Sequence, residues 1–133
     1  DLINQSIKYR EYFRPFAPAV MKEHINDVFK ISNDENSYFM EKVYKFKSKW
    51  IDKIPGVVHY DLTGRLQTVD KASNNLFYKF IKKFYILKKI PLVLNTSFNI
   101  NGMPLVESPE DAIECFYKSG IDCLIIQNYL ITK

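Results

Sequence analysis

Three stretches of this chain combine residue types and spacings that could do chemistry. The first is residues 7–18, IKYREYFRPFAP, with Lys8, Arg10 and Arg14 close together ahead of two prolines. Extended backbone over 7–12 sets Lys8 and Arg10 on the same face. Two like charges side by side repel unless an anion lies between them, so the pair reads as a clamp for a phosphate or carboxylate. The plainer alternative is a solvated basic strand edge, where lysine commonly guards against aggregation. The second stretch is 59–69, HYDLTGRLQTV. His59 and Asp61 alternate onto one face and Arg65 follows the turn, which makes a candidate His–Asp–Arg polar cluster. A hydrogen-bonded structural histidine, with Asp61 simply opening the turn, is the competing reading. The third is 94–101, LNTSFNIN, directly after the apolar run IPLVL and before Gly102. Asn95, Thr96, Ser97, Asn99 and Asn101 make a neutral, hydrogen-bonding loop. Such a loop at a strand's carboxyl end can hold a nucleotide or phosphate through hydroxyls, amides and backbone N–H groups. An ordinary Asn-rich connection is the alternative, although so long a polar run is hard to explain as packing.

Arginine usage sharpens the first reading. The chain has 19 Lys and Arg together, of which only Arg10, Arg14 and Arg65 are arginine. A guanidinium grips phosphate or carboxylate with a flat, always-charged fork that an ammonium lacks. The three positions therefore read as chosen for anion geometry, with structural ion pairs as the alternative. The net charge of +4 suits an anionic small molecule, and nucleic acid only weakly. Four Gly, six Pro and 15% aromatic residues exclude collagen-like, low-complexity and disordered chains. No apolar run approaches the roughly 20 residues of a membrane span, and no secretory leader is visible, so a cytoplasmic setting is expected. Cys115 and Cys123 have no CxxC spacing or nearby His and read as two small buried thiols. His24 and His59 are far apart with no matching Cys, so no metal site is expected. No GxGxxG, P-loop or hydrolase elbow appears around Ser97.

The elements that must position these stretches read as a single mixed α/β domain of 133 residues. The prolines force 13–18 to be extended, and 19–29 could hold a short helix. A polar loop at 33–37 precedes a strand over 38–47. Runs 57–61 and 66–69 flank Leu62-Thr63-Gly64 as a hairpin. Residues 73–89 form the clearest helix, with Leu76, Phe77, Phe80, Ile81, Phe84 and Tyr85 at helical spacing. A short strand fit for the middle of a sheet follows at 90–95. Ser108-Pro109-Glu110-Asp111 opens a second helix. Ala112, Ile113, Phe116 and Tyr117 are its expected buried stripe, and Gly120 its left-handed end. With a strand at 122–127, residues 91–127 read as a βαβ unit. The chain opens on Asp1, so a processed protein or a piece of a longer one is expected.

Taken in order, REYFRPFAP (10–18), HYDLTGRLQTV (59–69), LNTSFNINGMPLVESPEDAIECF (94–116) and SGIDCLII (119–126) resemble the C-terminal domain of the O-carbamoyltransferases. That family acts on nodulation factors, aminoglycosides and cephem antibiotics. The resemblance covers nearly the whole chain, and NTSFN followed by G-x-P-x-V and P-E-D-A is its most specific part. Two positions depart from the pattern: Leu62 stands where Gly is usual, and Gly64 where Ala is usual. The family is similar in fold to YrdC-like domains, which make carbamoyl- or threonylcarbamoyl-adenylates. The K-x-R and S-x-N pairs of that wider group match Lys8-Tyr9-Arg10 and Ser97-Phe98-Asn99.

The resemblance implies a YrdC-like twisted mixed β-sheet with packed helices. It also implies activation of carbamoyl phosphate with ATP and its accompanying Mg²⁺. Carbamoyl-adenylate would form, with release of pyrophosphate and phosphate. The carbamoyl group would then pass to the hydroxyl of an acceptor compound at the transfer site of an N-terminal, sugar-kinase-like domain that this chain does not include. Lys8, Arg10, Arg65 and His59 are the implied catalytic residues. Arg14, Asp61, Asn95, Thr96, Ser97 and Asn99 are the implied substrate and ATP contacts. The rival expectation is a basic YrdC-like module that binds RNA or nucleotide without catalysis, through Lys79, Lys82 and Lys83.

Overall fold

The computed structural model describes residues 2–9, 11–32 and 35–133. Arg10, a candidate catalytic residue, lies outside the described residues, as do Asn33 and Asp34 of the expected polar loop. The architecture is mixed α/β, as expected, and the chain divides into two compact units.

One unit spans 15–96. Its strands are β1 (Ala17–Met21), β2 (Lys42–Lys45), β3 (Thr63–Val69) and β4 (Leu92–Asn95). They form one sheet in the order β2-β3-β1-β4. β1 runs parallel to β3 and antiparallel to β4, and β2 runs antiparallel to β3. Two short helices, α1 (Ile25–Val28) and α2 (Ser48–Ile51), precede the long α3 (Lys71–Lys88). The α3 helix lays Tyr78 and Ile81 against Ala19, Met21 and Val69, with Phe77, Tyr85 and Val93 at the margin. Fully burying a side chain such as Ile81 contributes about 1.5–3 kcal/mol. Elsewhere in the same unit, Phe29 and Phe46 stack with ring centroids 4.3 Å apart.

Several expected elements differ here. Residues 19–21 are strand, not helix, because β1 is hydrogen-bonded on both sides and buried throughout; sheet pairing overrides a weak local preference. Only 22–24 and α1 are helical in that stretch. Residues 57–61 are not a hairpin arm. Pro55–Val57 form a 3₁₀ turn, and Leu62 donates its N–H to the His59 carbonyl at 2.9 Å, closing a second turn. The strand β3 starts only at Thr63. The α3 segment opens earlier than expected, with a turn where Asp70 and Ser73 cap each other reciprocally. Asn74 is non-helical (φ -157°, ψ 88°) and its Oδ1 accepts the Phe77 N–H at 3.0 Å, so the continuous helix starts beyond it. Its Leu76 and Phe80 are exposed. β4 is an outer strand, not a central one.

The other unit comprises 1–14 and 97–133. It holds a π-helical turn, Asn4–Lys8, then α4 (Pro109–Lys118), β5 (Cys123–Ile126) and β6 (Tyr129–Thr132). The turn is a correction: residues 7–9 are not extended, and Lys8 ends a helix instead of alternating on a strand. Ala112 and Phe116 of α4 pack with Leu124, Phe98, Val106 and Ile131. Cys115 takes the buried place expected for Ile113, while Ile113, Tyr117 and Cys123 are exposed. Serine 108 and Asp111 form the reciprocal cap at the start of α4. β5 pairs antiparallel with β6 alone, so 91–127 is not a βαβ unit. Gly120 is not left-handed. Its N–H donates to the Ser6 carbonyl at 2.8 Å, and a Cβ there would lie 2.7 Å from that oxygen.

Candidate functional site

The unit built from the chain's two ends brings Lys8 to the polar loop. The Asn4–Lys8 turn is held by Asn4, whose Nδ2 donates to the Tyr12 and Arg14 carbonyls at 3.2 and 3.0 Å. Left-handed Tyr9 (φ 49°) ends it. Lys8 is 4% exposed. Its Nζ lies 2.8 Å from the Ser97 carbonyl and 3.1 Å from Ser97 Oγ. It lies 2.7 Å from the Asn99 carbonyl and 2.8 Å from Asn99 Oδ1. An ammonium has three protons, so the four neutral oxygens share them. Asn99 has a fixed orientation: Nδ2 donates to the Met103 carbonyl at 2.9 Å, and Oδ1 accepts from Ser97 Oγ at 2.7 Å. Asn101 closes the loop by donating its N–H to the Lys8 carbonyl at 3.2 Å. Gly102, at φ +80°, supplies the turn that follows. Burial pushes the Cys115 thiol pKa up, and the Lys8 charge pulls against it. Residues 89 apart in sequence thus meet around one buried cation. Arg14 is half-exposed and ion-paired with Glu11 at 3.0 Å.

The sheet-bearing unit holds the His–Asp–Arg cluster on the turn into β3. The His59 N–H donates to the Thr63 carbonyl at 2.8 Å. Thr63 Oγ1 donates to Asp61 Oδ1 at 2.6 Å and lies 3.2 Å from His59 Nδ1. A hydroxyl has one proton, and here the carboxylate takes it. His59 Nδ1 must then be the N–H donor to Thr63 Oγ1, which leaves the acceptor lone pair on Nε2. Burial lowers the His59 pKa; the Asp61 charge raises it and the Arg65 charge lowers it further. The Thr63 hydroxyl bond holds the Asp61 pKa below its ordinary value. Arg65 is exposed on β3 opposite Val43, with no ion-pair partner among the described residues. Asn95 closes β4 opposite Ala17, and its Nδ2 donates to Gln67 Oε1 at 2.7 Å. Thr96 follows it, half-buried.

Both family departures have a local cause. Leu62 sits at φ 64°, the left-handed region where Gly is free and a side chain is strained. At Gly64 a Cβ would lie 2.4 Å from the Phe46 ring, so that ring fills the place of the usual methyl. Sequence reasoning passed over two residues. Thr63 joins His59 to Asp61, and its place four residues after His59 in HYDLT was the available signal. Gln67 bridges to Asn95 across β1, which only the strand order reveals. Among the described residues no three His, Cys, Asp or Glu side chains cluster as a metal site, and no helix is long and apolar enough to cross a membrane.

Comparison with known proteins places these features in a lineage. The family model described as carbamoyltransferase C-terminus matches residues 1–133. The chain is 44% identical over 133 residues to an uncharacterised protein of Methanocaldococcus jannaschii, covering 100% of this chain and 25% of that protein. It is 37% identical over 134 residues to nodulation protein NolNO of Sinorhizobium fredii, covering 100% of this chain and 20% of the relative. It is 34% identical to nodulation protein NolO of Bradyrhizobium diazoefficiens, again over 100% of this chain and 24% of the relative. The chain therefore spans a quarter or less of the length of these relatives.

Proposed function

This chain belongs to the carbamoyltransferase C-terminal family, and we propose that it is the part of a carbamoyltransferase that binds carbamoyl phosphate and ATP and makes carbamoyl-adenylate. The observation that supports this reading is the convergence of Ser97 and Asn99 on the buried ammonium of Lys8. Water splits carbamoyl phosphate into carbamate and phosphate. A carbamate oxygen then attacks the α-phosphorus of ATP, and the bond to pyrophosphate breaks. The sum consumes one water and gives carbamoyl-adenylate, pyrophosphate and phosphate. Both substrates are dense in negative charge, and fixed cations lower the cost of desolvating them. Lys8 holds the S-x-N loop by its carbonyls and the Asn99 amide, which leaves backbone N–H groups of the loop to bind the nucleotide phosphates. Arg10, Arg14 and Arg65 bind phosphate oxygens. His59 Nε2, an acceptor in the tautomer derived above, takes an N–H of the carbamoyl group; Asp61 acts through Thr63. Asn95 and Thr96 supply further polar contacts to the substrates. Mg²⁺ enters with ATP as part of the substrate. The rest of the longer protein, a sugar-kinase-like N-terminal domain, presents the acceptor hydroxyl.

The test is carbamoyl-phosphate-dependent ATP–pyrophosphate exchange by the full-length gene product. Exchange is expected, with its loss in Arg65→Lys at unchanged fold. Near-parental exchange in that variant removes Arg65 from the site, and a folded full-length protein without exchange sinks the reading. A second reading has one observation in its favour: Lys79, Lys82 and Lys83 are exposed on α3, and residues 71–106 contain no Asp or Glu. An RNA-binding face there would lose affinity steeply with salt and upon Lys79→Glu.

A further inference from the structure

β4 is an outer strand of the four-stranded sheet. Two prolines reveal which of its backbone groups are committed to β1. Met21 donates its N–H to the Pro91 carbonyl at 3.2 Å, so Met21 and Pro91 face each other as a hydrogen-bonding pair. Such pairs alternate with non-bonding ones along an antiparallel ladder. Val93 with Ala19 and Asn95 with Ala17 are then bonding pairs, while Leu92 with Val20 and Leu94 with Pro18 are not. Pro18 agrees, having no N–H to give. The N–H and C=O groups of Leu92 and Leu94 therefore turn off the open edge, and none has a partner among the described residues.

A groove of about 390 Å³ follows this edge. Its walls come from both faces of the sheet: Pro55 and Gly56 beside Leu94, and Phe84 of α3 on the side of Val93. An open edge is commonly blunted by Lys, Pro or a bulge, and the strand LVLN has none of these. The edge is also recessed, with Leu92 only 3% exposed. Walls that recess the edge would meet the same walls on a second copy before the strands came together. A single extended strand fits where a second copy does not. Its charge is set by the lining, where Lys53 is the one charged residue among apolar neighbours, and α3, which supplies Phe84, carries five Lys and no acid. The relatives supply a source, since three quarters or more of their length lies outside the part matched here.

We propose that the open edge of β4 docks one extended, acid-bearing segment from that remaining portion of the longer protein, added to the sheet as a fifth strand. Backbone bonds at Leu92 and Leu94 give the affinity, and apolar side chains of the incoming strand enter the groove on alternate faces. Docking needs the longer polypeptide but not the carbamoyl chemistry proposed above.

The experiment uses the full-length gene product and a zero-length carbodiimide crosslinker, which joins Lys Nζ to Asp or Glu. The expected crosslink runs from Lys53 to an acid outside residues 1–133, within one molecule, as mixed ¹⁴N and ¹⁵N protein will show. Leu94→Pro removes an outward N–H without touching the β1 ladder, and should lower that crosslink at least tenfold and speed Leu92 amide exchange as much. Gly56→Leu, where a Cβ has ordinary contact at 3.5 Å, fills the groove and should act likewise if the proline variant fails to fold. Crosslinks confined to residues 1–133, crosslinks to a second copy, or parental yield in a folded variant each overturn the inference. Pyrophosphate exchange is scored separately. Exchange without the crosslink sinks this inference alone, and the crosslink without exchange sinks only the functional reading.

Discussion

Replacing Lys8 by Met keeps the apolar stem and removes only the ammonium, so it isolates what Nζ does. Ser97 and Asn99 each lose a donor to their backbone carbonyl, at 2.8 and 2.7 Å in the parent. Asn99 Oδ1 keeps its bond from Ser97 Oγ at 2.7 Å. A buried acceptor left without its donor costs about 1–3 kcal/mol. Ser97 is exposed, so water can serve its carbonyl, whereas Asn99 is half-buried. Relief from burying a cation offsets part of the loss. The balance is about 2 kcal/mol, concentrated in the loop, or roughly thirtyfold in local opening. The assay is amide exchange at 97–103, read beside thermal melting. Faster exchange there with little change in β3 is expected. Lys8→Arg is the comparator: a planar fork does not converge on four oxygens as a compact ammonium does, so it should loosen the loop about as much. Exchange within twofold of the parent in Lys8→Met would refute the claim that Nζ holds the loop.

Leu62→Gly should stabilise the protein by about 0.5–1 kcal/mol in chemical denaturation, because strain at φ 64° is relieved and the leucine is half-exposed. Loss of stability there would mean that the side chain packs more than its exposure indicates. Thr63→Val should shift neutral His59 from the Nδ1–H toward the Nε2–H tautomer in long-range ¹H–¹⁵N spectra at pH 7.5; an unchanged tautomer would break the derived chain of bonds. The Asp70 carboxyl is held down to about 2, chiefly by the Ser73 N–H and also by the Tyr38 hydroxyl. A depressed acid stabilises the fold above its unfolded pKa near 3.8 and loses that contribution as pH falls toward about 2. Asp70→Asn should therefore flatten the acid side of the stability profile over that window. Gly120→Ala should cost about 1–3 kcal/mol, since its Cβ would press on the Ser6 carbonyl; a neutral result would show that the Asn4–Lys8 turn moves freely aside.

What was legible in the sequence divides by the range of the forces involved. The cap of α4 is local and survives into the structure, and both helices do so with shifted ends. The Asp70–Ser73 cap was not read from the sequence, and Leu76, Phe80, Ile113 and Tyr117 of the expected stripes are exposed. The His59–Asp61 pairing was also local and was found, with Thr63 as its missing link. Strand order is not local. Nothing in the run APAVM says that β3 and β4 will flank it, so 13–18 read as extended and 19–29 as room for a short helix. The rank of β4 failed for a related reason. An apolar tetrapeptide fits a central strand or a recessed edge equally well, and only the groove walls from elsewhere in the chain tell them apart. For the candidate site, the sequence singled out 8, 97 and 99 separately, and the structure brings the three together. The backbone that delivers Lys8 was misread, because a turn stabilised by Asn4 reaching Tyr12 and Arg14 leaves no hydrophobic period to detect.

The three kinds of cation in the polar stretches now separate by what they touch. Arg14 has an acidic neighbour three residues back across a turn, which is what the ion-pair alternative requires. Its half-exposed position keeps that pair weak, within about 1 kcal/mol, so a stronger anion could take the guanidinium without much loss. Lys8 is committed differently. Its protons are shared among protein oxygens at 2.7–3.1 Å, and a ligand reaching Nζ must displace one of them. The 3.1 Å contact to Ser97 Oγ is the longest of the four and the easiest to give up, since that hydroxyl already donates to Asn99. Arg65 is the reverse case: exposed, opposite an apolar residue, and near enough to His59 to depress its pKa. Burial does most to hold the His59 pKa below its ordinary value, Asp61 pulls it back up, and the Arg65 charge adds a smaller push in the direction of burial. That coupling is why Arg65→Lys is the substitution to make first: it retains the charge beside His59 while removing the planar fork, so loss of turnover would report on geometry and not on net charge.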